Sequence, residues 1–221
     1  MGILRFRSVL ILVLLGATSG CMGINTVRGS GKVITETRTV SGFTGVEVNG
    51  DARVVIEPGD NETLEIAADD NLMQYLTADV KGSKLVLGPK NLTNLSPTER
   101  ITYRVTAKSL SSVDASGSVK VEAKGIRTDS LSISLSGSGE IEVSGEATTQ
   151  KVVLSGSANY EAGNLASKDA NITISGSGKA VVAASDKLSV TVSGSGDVEY
   201  IGAPQVTQSI SGSGSVKQRK L

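Results

Sequence analysis

Ser130–Ser157 reads SLSISLSGSGEIEVSGEATTQKVVLSGS. It holds two copies of one pattern. Apolar and polar residues alternate into a Ser-Gly-Ser triplet, and alternate again beyond it. Alternation with period two marks a strand with one buried face. The triplet recurs, starting at Ser116, Ser136, Ser155, Ser175, Ser193 and Ser211, at intervals of 20, 19, 20, 18 and 18 residues. Spacing this regular marks a repeat architecture.

The flanking residues keep phase with the triplet. One position before it stand Ala115, Leu135, Leu154, Ile174, Val192 and Ile210; three before it stand Val113, Ile133, Val152, Ile172, Val190 and Gln208. After it, Val121, Ile141, Tyr160, Ala180, Val198 and Val216 form one apolar column, and Ala123, Val143, Ala162, Val182, Tyr200 and Gln218 the next. Each repeat therefore holds two short strands joined at Ser-Gly-Ser-Gly, and stretches such as 145–149 and 163–169 make the return. The β-branched content and the glycines exclude helix. A meander of antiparallel hairpins would put alternate triplets at opposite ends. A stack of parallel coils puts identical turns on identical turns, about 4.8 Å apart, and so accounts for a triplet that hardly varies. The glycines allow positive φ at the corner, and the serine hydroxyls can bond along the stack or cap main-chain groups. The expected fold is all-β: a parallel β-helix with rungs of about 18–20 residues over 110–221, capped by an N-terminal β region over 34–109.

In that N-terminal region Val46, Val48, Val54 and Ile56 predict two strands around a turn at Asn49-Gly50-Asp51. Leu64 and Ile66 predict another strand. Leu85–Leu87, after Lys81-Gly82-Ser83, and the alternation of Ile101, Tyr103 and Val105 predict two more. Asp69–Leu76 predicts one helical turn capped by Asp69, Asp70 or Asn71.

The first twenty residues form a targeting segment. Arg5 and Arg7 precede the apolar run Val9–Leu15, which is far shorter than the ~20 residues a membrane span needs. The small residues Gly16–Gly20 lead directly to Cys21, the only cysteine in the chain. Ala17-Thr18-Ser19-Gly20-Cys21 resembles the lipobox of bacterial lipoproteins, with Thr18 where leucine is usual. The resemblance implies a signal peptide over 1–20, acylation of Cys21, a flexible tether over 21–33 and, with Met22 after the cysteine, an outer-membrane location.

The segments Phe43–Val48, Asp51–Gly59, Leu64–Ile66 and Asp70–Leu72, followed by the Gly-Ser repeats, resemble the bacterial GIN-domain family over about residues 40–215. That family is described as autotransporter adhesin heads or as domains of unknown function. The resemblance implies a right-handed β-helix displayed outside the cell, and it brings no catalytic residues.

Candidate chemistry is sparse. The chain has no histidine, and 22 basic residues balance 22 acidic ones. Bulk charge therefore gives no basis for nucleic-acid binding, and no cofactor motif is present. Glu122, Glu142, Glu161 and Glu199 fall in one outward column. Stacked carboxylates suit a hard cation such as calcium, whereas a solvated face offset by Lys120 and Lys179 needs no metal. Ser134, Thr173, Thr191 and Ser209 form an outward hydroxyl face, a flat array fitted to a glycan or protein surface ligand. The functional expectation is an envelope lipoprotein with a non-catalytic binding or adhesion head. The alternatives are a structural envelope protein and a carbohydrate-active enzyme, the latter opposed by only six aromatic residues.

Overall fold

The computed structural model describes residues 26–90 and 93–220. The expected signal segment and Cys21 lie outside them. The protein is all-β, and one fourteen-stranded sheet carries most of the chain.

In the repeat half the strands run long and bend through the corners. β9 (Ser112–Gly137), β10 (Glu140–Gly156) and β11 (Asn159–Gly176) are followed by shorter pieces. These are β12 (Lys179–Ala183), β13 (Lys187–Gly194), β14 (Asp197–Ile201), β15 (Gln205–Gly212) and β16 (Ser215–Gln218). Every copy pairs with the next in parallel, triplet against triplet, from Ser136 through Ser155, Ser175 and Ser193 to Ser211. Parallel pairing rules out the hairpin meander. The apolar columns are buried in a single core that runs from Val40 to Val198. The pattern changes in the last copy. There Gln208 and Gln218 occupy inward columns, Ile210 is 37% exposed, and β15 pairs only with β13.

The corner explains why glycine stands at the middle of each triplet. Gly117, Gly137, Gly156, Gly176, Gly194 and Gly212 all have φ between 92° and 126°. A Cβ at any of them would lie within 2.6 Å of the carbonyl oxygen of the corner glycine one rung back. The following serine donates its amide to that same oxygen: Ser138, Ser157, Ser177, Ser195 and Ser213 do so at 2.9–3.1 Å. The bonds that run along the stack at this corner are therefore main-chain bonds. The return segments also pair, with Gly145 opposite both Ile126 and Leu165.

Two expectations for the N-terminal half are corrected. Asn49-Gly50-Asp51 is no hairpin turn. It lies inside the continuous strand β3 (Gly45–Pro58), in register with Ser116-Gly117-Ser118, and Gly50 has φ of 100°. It is one more copy of the corner, written without serine. The parallel ladder does not run unbroken through this half. β6 (Lys84–Pro89) and β8 (Ile101–Ala107) pair parallel to β3, but β4 (Thr63–Asp69) runs antiparallel to β8 and to β2 (Val33–Arg38). β5 (Leu76–Lys81) meets β6 as a hairpin through Gly82-Ser83. A two-residue loop can join only antiparallel strands, so the sheet is mixed.

The acidic run at 69–71 does not cap a helix. The turn at Met73–Tyr75 is 3-10, and Leu72 precedes it without a side-chain cap. Asp69 is fully buried and accepts from the Gly31 amide (2.8 Å), the Thr98 amide (2.9 Å) and the Thr98 hydroxyl. Asp70 accepts from the Ser30 hydroxyl, and Asn71 bonds the Ser30 amide and the Arg28 carbonyl. Residues 28–31, which the sequence places in a flexible tether, are thus fastened to the domain. Just before them β1 (Thr26–Arg28) pairs with β7 (Asn94–Ser96).

Candidate binding surfaces

The four glutamates share one column, and three of them stack on one another. Glu142 pairs in register with Glu122 and with Glu161; Val181 then separates Glu161 from Glu199. Val181 is buried although its column faces outward. Gly163 leaves room beside it, and Ile201 reaches into that space. The ends of the column are neutralised. Glu122 meets Arg53 at 2.9 Å and Lys124 at 4.0 Å; Glu199 meets Lys179 at 2.9 Å and Arg219 at 4.0 Å. The Lys179 hydrogen bond holds the Glu199 carboxyl below its ordinary pKa. Among the described residues no group of three or more acidic, cysteine or histidine side chains is placed to hold a metal ion.

The hydroxyl column is in register too, with Val153 between Ser134 and Thr173, and Thr191 and Ser209 beyond. Beside it Asn171, Ser189 and Thr207 edge a groove of about 410 Å³.

A larger groove, about 1040 Å³, runs along the return side. Five successive rungs line it, and their small residues leave its floor open: Ala147, Ala166, Ala184 and Ala203 lie along it, with Arg127 and Lys168 among the charged positions. Under this floor sits a polar network that the sequence reading missed. Gln150 is fully buried, in the inward column between Leu131 and Ala170. Its amide donates to the Ser167 hydroxyl (2.6 Å) and the Ala183 carbonyl (3.2 Å), and its oxygen accepts from Tyr160 (3.1 Å). Ser167 donates in turn to Ala183 O (2.5 Å) and lines the groove. Burial raises the Tyr160 pKa, which keeps the phenol neutral. The available signal was phase: Gln150 stands where the neighbouring rungs place Leu131, Ala170 and Leu188.

The profile of the family described as "putative auto-transporter adhesin, head GIN domain" matches residues 42–204. The chain belongs to this family. Among solved structures, the GIN domain is similar to a putative adhesin from Bacteroides fragilis, at 21% identity and TM-score 0.73, covering 87% of this chain and all of that one. A putative lipid binding protein from Parabacteroides distasonis is 26% identical with TM-score 0.58, covering 89% of this chain and all of that one. A putative adhesin from Parabacteroides merdae is 22% identical with TM-score 0.55, covering 88% and 99%. No protein of curated function matches the chain. The family is one of adhesin-like proteins, a description of binding at the cell surface or envelope. Among the described residues no helix is long and apolar enough to cross a membrane.

The network beneath the groove of this GIN domain makes a testable case. Gln150→Leu alone should cost about 2 kcal/mol, because it strands the Tyr160 hydroxyl in the core. Adding Tyr160→Phe should recover most of that loss, since replacing both partners of a buried bond by apolar groups is nearly neutral. Urea unfolding of the two single variants and the double variant reads the coupling directly. Additive losses would show that the bond carries nothing.

Proposed function

We propose that this GIN-domain protein is a cell-envelope lipoprotein whose non-catalytic head binds a surface ligand along its return face. The observation that carries this reading is the groove of about 1040 Å³, lined by five successive rungs. Repeated contacts that are each weak add up along such a lattice, and alanine floors let a ligand lie close to the main chain. The parallel stacking of residues 112–218 supports a right-handed β-helical head as the scaffold. The proposed anchor is acylated Cys21, cleaved after Gly20 and held in the outer membrane. Acyl chains contribute about 0.8 kcal/mol per buried methylene. A glycan, a host or cell-wall protein, and a lipid surface belong in one ligand panel. Lipid is included because of the name of the Parabacteroides distasonis relative.

Ala166 is exposed in the middle of the groove. Ala166→Arg should abolish binding to whichever member of the panel the wild type retains, with no change in unfolding midpoint. A wild type that retains none, or a variant that binds equally well, overturns the reading. The anchor is tested separately, by intact mass and detergent partitioning before and after Cys21→Ala. The wild type should carry acyl mass and follow the detergent, and the variant should do neither.

A further inference from the structure

Cys21 stands five residues before Thr26, where β1 begins. Five residues reach about 17 Å at most. From Thr26 onward the chain is tied down. β1 pairs with β7, and each residue from Arg28 to Gly31 is hydrogen-bonded to the body of the domain. The Arg28 carbonyl accepts from the Asn71 side chain (2.8 Å), and the Gly29 amide donates to the Ser96 carbonyl (2.9 Å). The Ser30 amide donates to Asn71 Oδ1 (2.9 Å) and the Gly31 amide to Asp69 (2.8 Å). A side chain at Gly29 would run into the Asp69 carboxylate, so the segment lies flat against its partner. Were this stretch free as far as Val33, the leash from Cys21 would be twelve residues long and reach about 42 Å.

The fastening point lies away from the return-face groove in two directions. Along the stack, the fastened segment leads into β2, at one edge of the large sheet, and β16 lies at the other edge, nine pairings away. At about 4.8 Å per pairing this is about 43 Å, more than twice the reach from Cys21 to Thr26. The groove is lined from Arg127 in β9 to Ala203 after β14, beyond the first rungs of the cap. Around the rung, Ala147 in the groove stands ten residues after Gly137 and nine before Gly156, half a rung from either corner. The return side therefore faces the corner line across the core. A rung of about 19 residues is about 60 Å round and so about 20 Å across. β7, which holds β1, is on the corner side, because Asn94 and Leu95 share a cleft with Asn49, Gly50 and Asp51. The chain thus leaves the domain at its capped end and on its corner side, diagonally across from the groove.

We propose that this fastening orients the anchored head: it turns the return-face groove away from the membrane that holds Cys21, so the groove takes a ligand presented from outside that membrane and not a lipid within it. The inference rests on the anchor and the groove proposed above. A leash of five residues is shorter than the domain is wide and cannot lay the far side of the core on the bilayer. A leash of twelve residues could.

The test uses the mature chain, Cys21–Leu221, coupled through its single thiol to phosphatidylcholine vesicles that carry maleimide-phosphatidylethanolamine. Dansyl-phosphatidylethanolamine in the same vesicles is the energy acceptor. The chain has no tryptophan, so an introduced indole can be excited alone. Thr35→Trp, exposed on β2, should transfer energy to the bilayer several-fold more strongly than Ala166→Trp, exposed in the groove. A flexible Gly-Ser spacer of about twenty residues between Cys21 and Thr26 should bring the two signals together. Transfer from Ala166→Trp that equals or exceeds that from Thr35→Trp overturns the proposal, and so does a difference that survives the spacer. The thiol coupling stands in for the acyl chain, so the result is independent of whether cells acylate Cys21. Failure of the anchor is read by intact mass, and failure of the groove by the ligand panel.

Discussion

Gly156→Ala should destabilise the protein by about 4 kcal/mol, measured by urea unfolding against wild type. Three costs add at this position. Gly156 has φ of 92°, a conformation that costs an L-residue about 1–2 kcal/mol. The new methyl would sit 2.6 Å from the Gly137 carbonyl oxygen, so the rungs must part, an overpacking cost of about 1–3 kcal/mol. Parting them strains the bond from the Ser157 amide to that same oxygen, now 3.0 Å long and worth about 1 kcal/mol. Set against a total stability of about 5–15 kcal/mol, the sum leaves little folded protein at elevated temperature. Gly82→Ala provides the comparison. Gly82 also has positive φ, 61°, but a Cβ there meets nothing within 4 Å, so its cost is confined to about 1 kcal/mol. If the two alanine variants unfold together, close stacking of the corners is not what selects glycine.

The second large effect belongs to Asp69. Asp69→Ala should cost about 3 kcal/mol, because it removes the charged acceptor shared by the Gly31 amide and by the amide and hydroxyl of Thr98. The loss should be local in its first consequence. Amides at 28–32 should exchange faster with solvent while those of the rung core keep their protection. The carboxyl pKa is lowered, chiefly by the Thr98 hydroxyl, then by the Thr98 and Gly31 amides. A depressed folded-state value stabilises the protein above the unfolded carboxylate pKa of about 3.9, and that stabilisation disappears as pH falls through the folded value. Asp69→Asn should therefore be less stable than wild type at pH 7, and the gap should close in acid. A gap that stays constant with pH would mean the ionised carboxylate is not what holds the joint.

The two regions differ in how well their sequence discloses them. The repeat half was legible because its constraint recurs. A triplet seen six times, with apolar columns in phase on both sides, identifies strands, corners and core together. The same corner at Asn49-Gly50-Asp51 escaped notice because only the central glycine is constrained, by its φ and by the oxygen stacked against it. Asparagine and aspartate serve as well as serine around it, so a search keyed to the triplet passes over it. The acidic and hydroxyl columns were read in correct register, but sequence phase could not show that Val181 would be covered by Ile201 through the gap at Gly163. Asp69 looked like a helix cap because its partners, Gly31 and Thr98, lie 38 and 29 residues away in the chain. The grooves escaped for that reason too. Their walls are assembled from segments that only the sheet topology brings together.

The composition of the last rung has a consequence for behaviour in concentrated solution. A parallel ladder is a template. Its terminal strand offers unpaired main-chain groups to any further strand, and an apolar inward face there would reward the addition. This protein sets Gln208 and Gln218 in inward columns at that point, with Lys217 and Arg219 close by. A strand added from another molecule would have to bury amides where every earlier rung buries aliphatic or aromatic side chains, and would bring its own charges against these. Growth past β15 and β16 is disfavoured by the same columns that drive stacking before them.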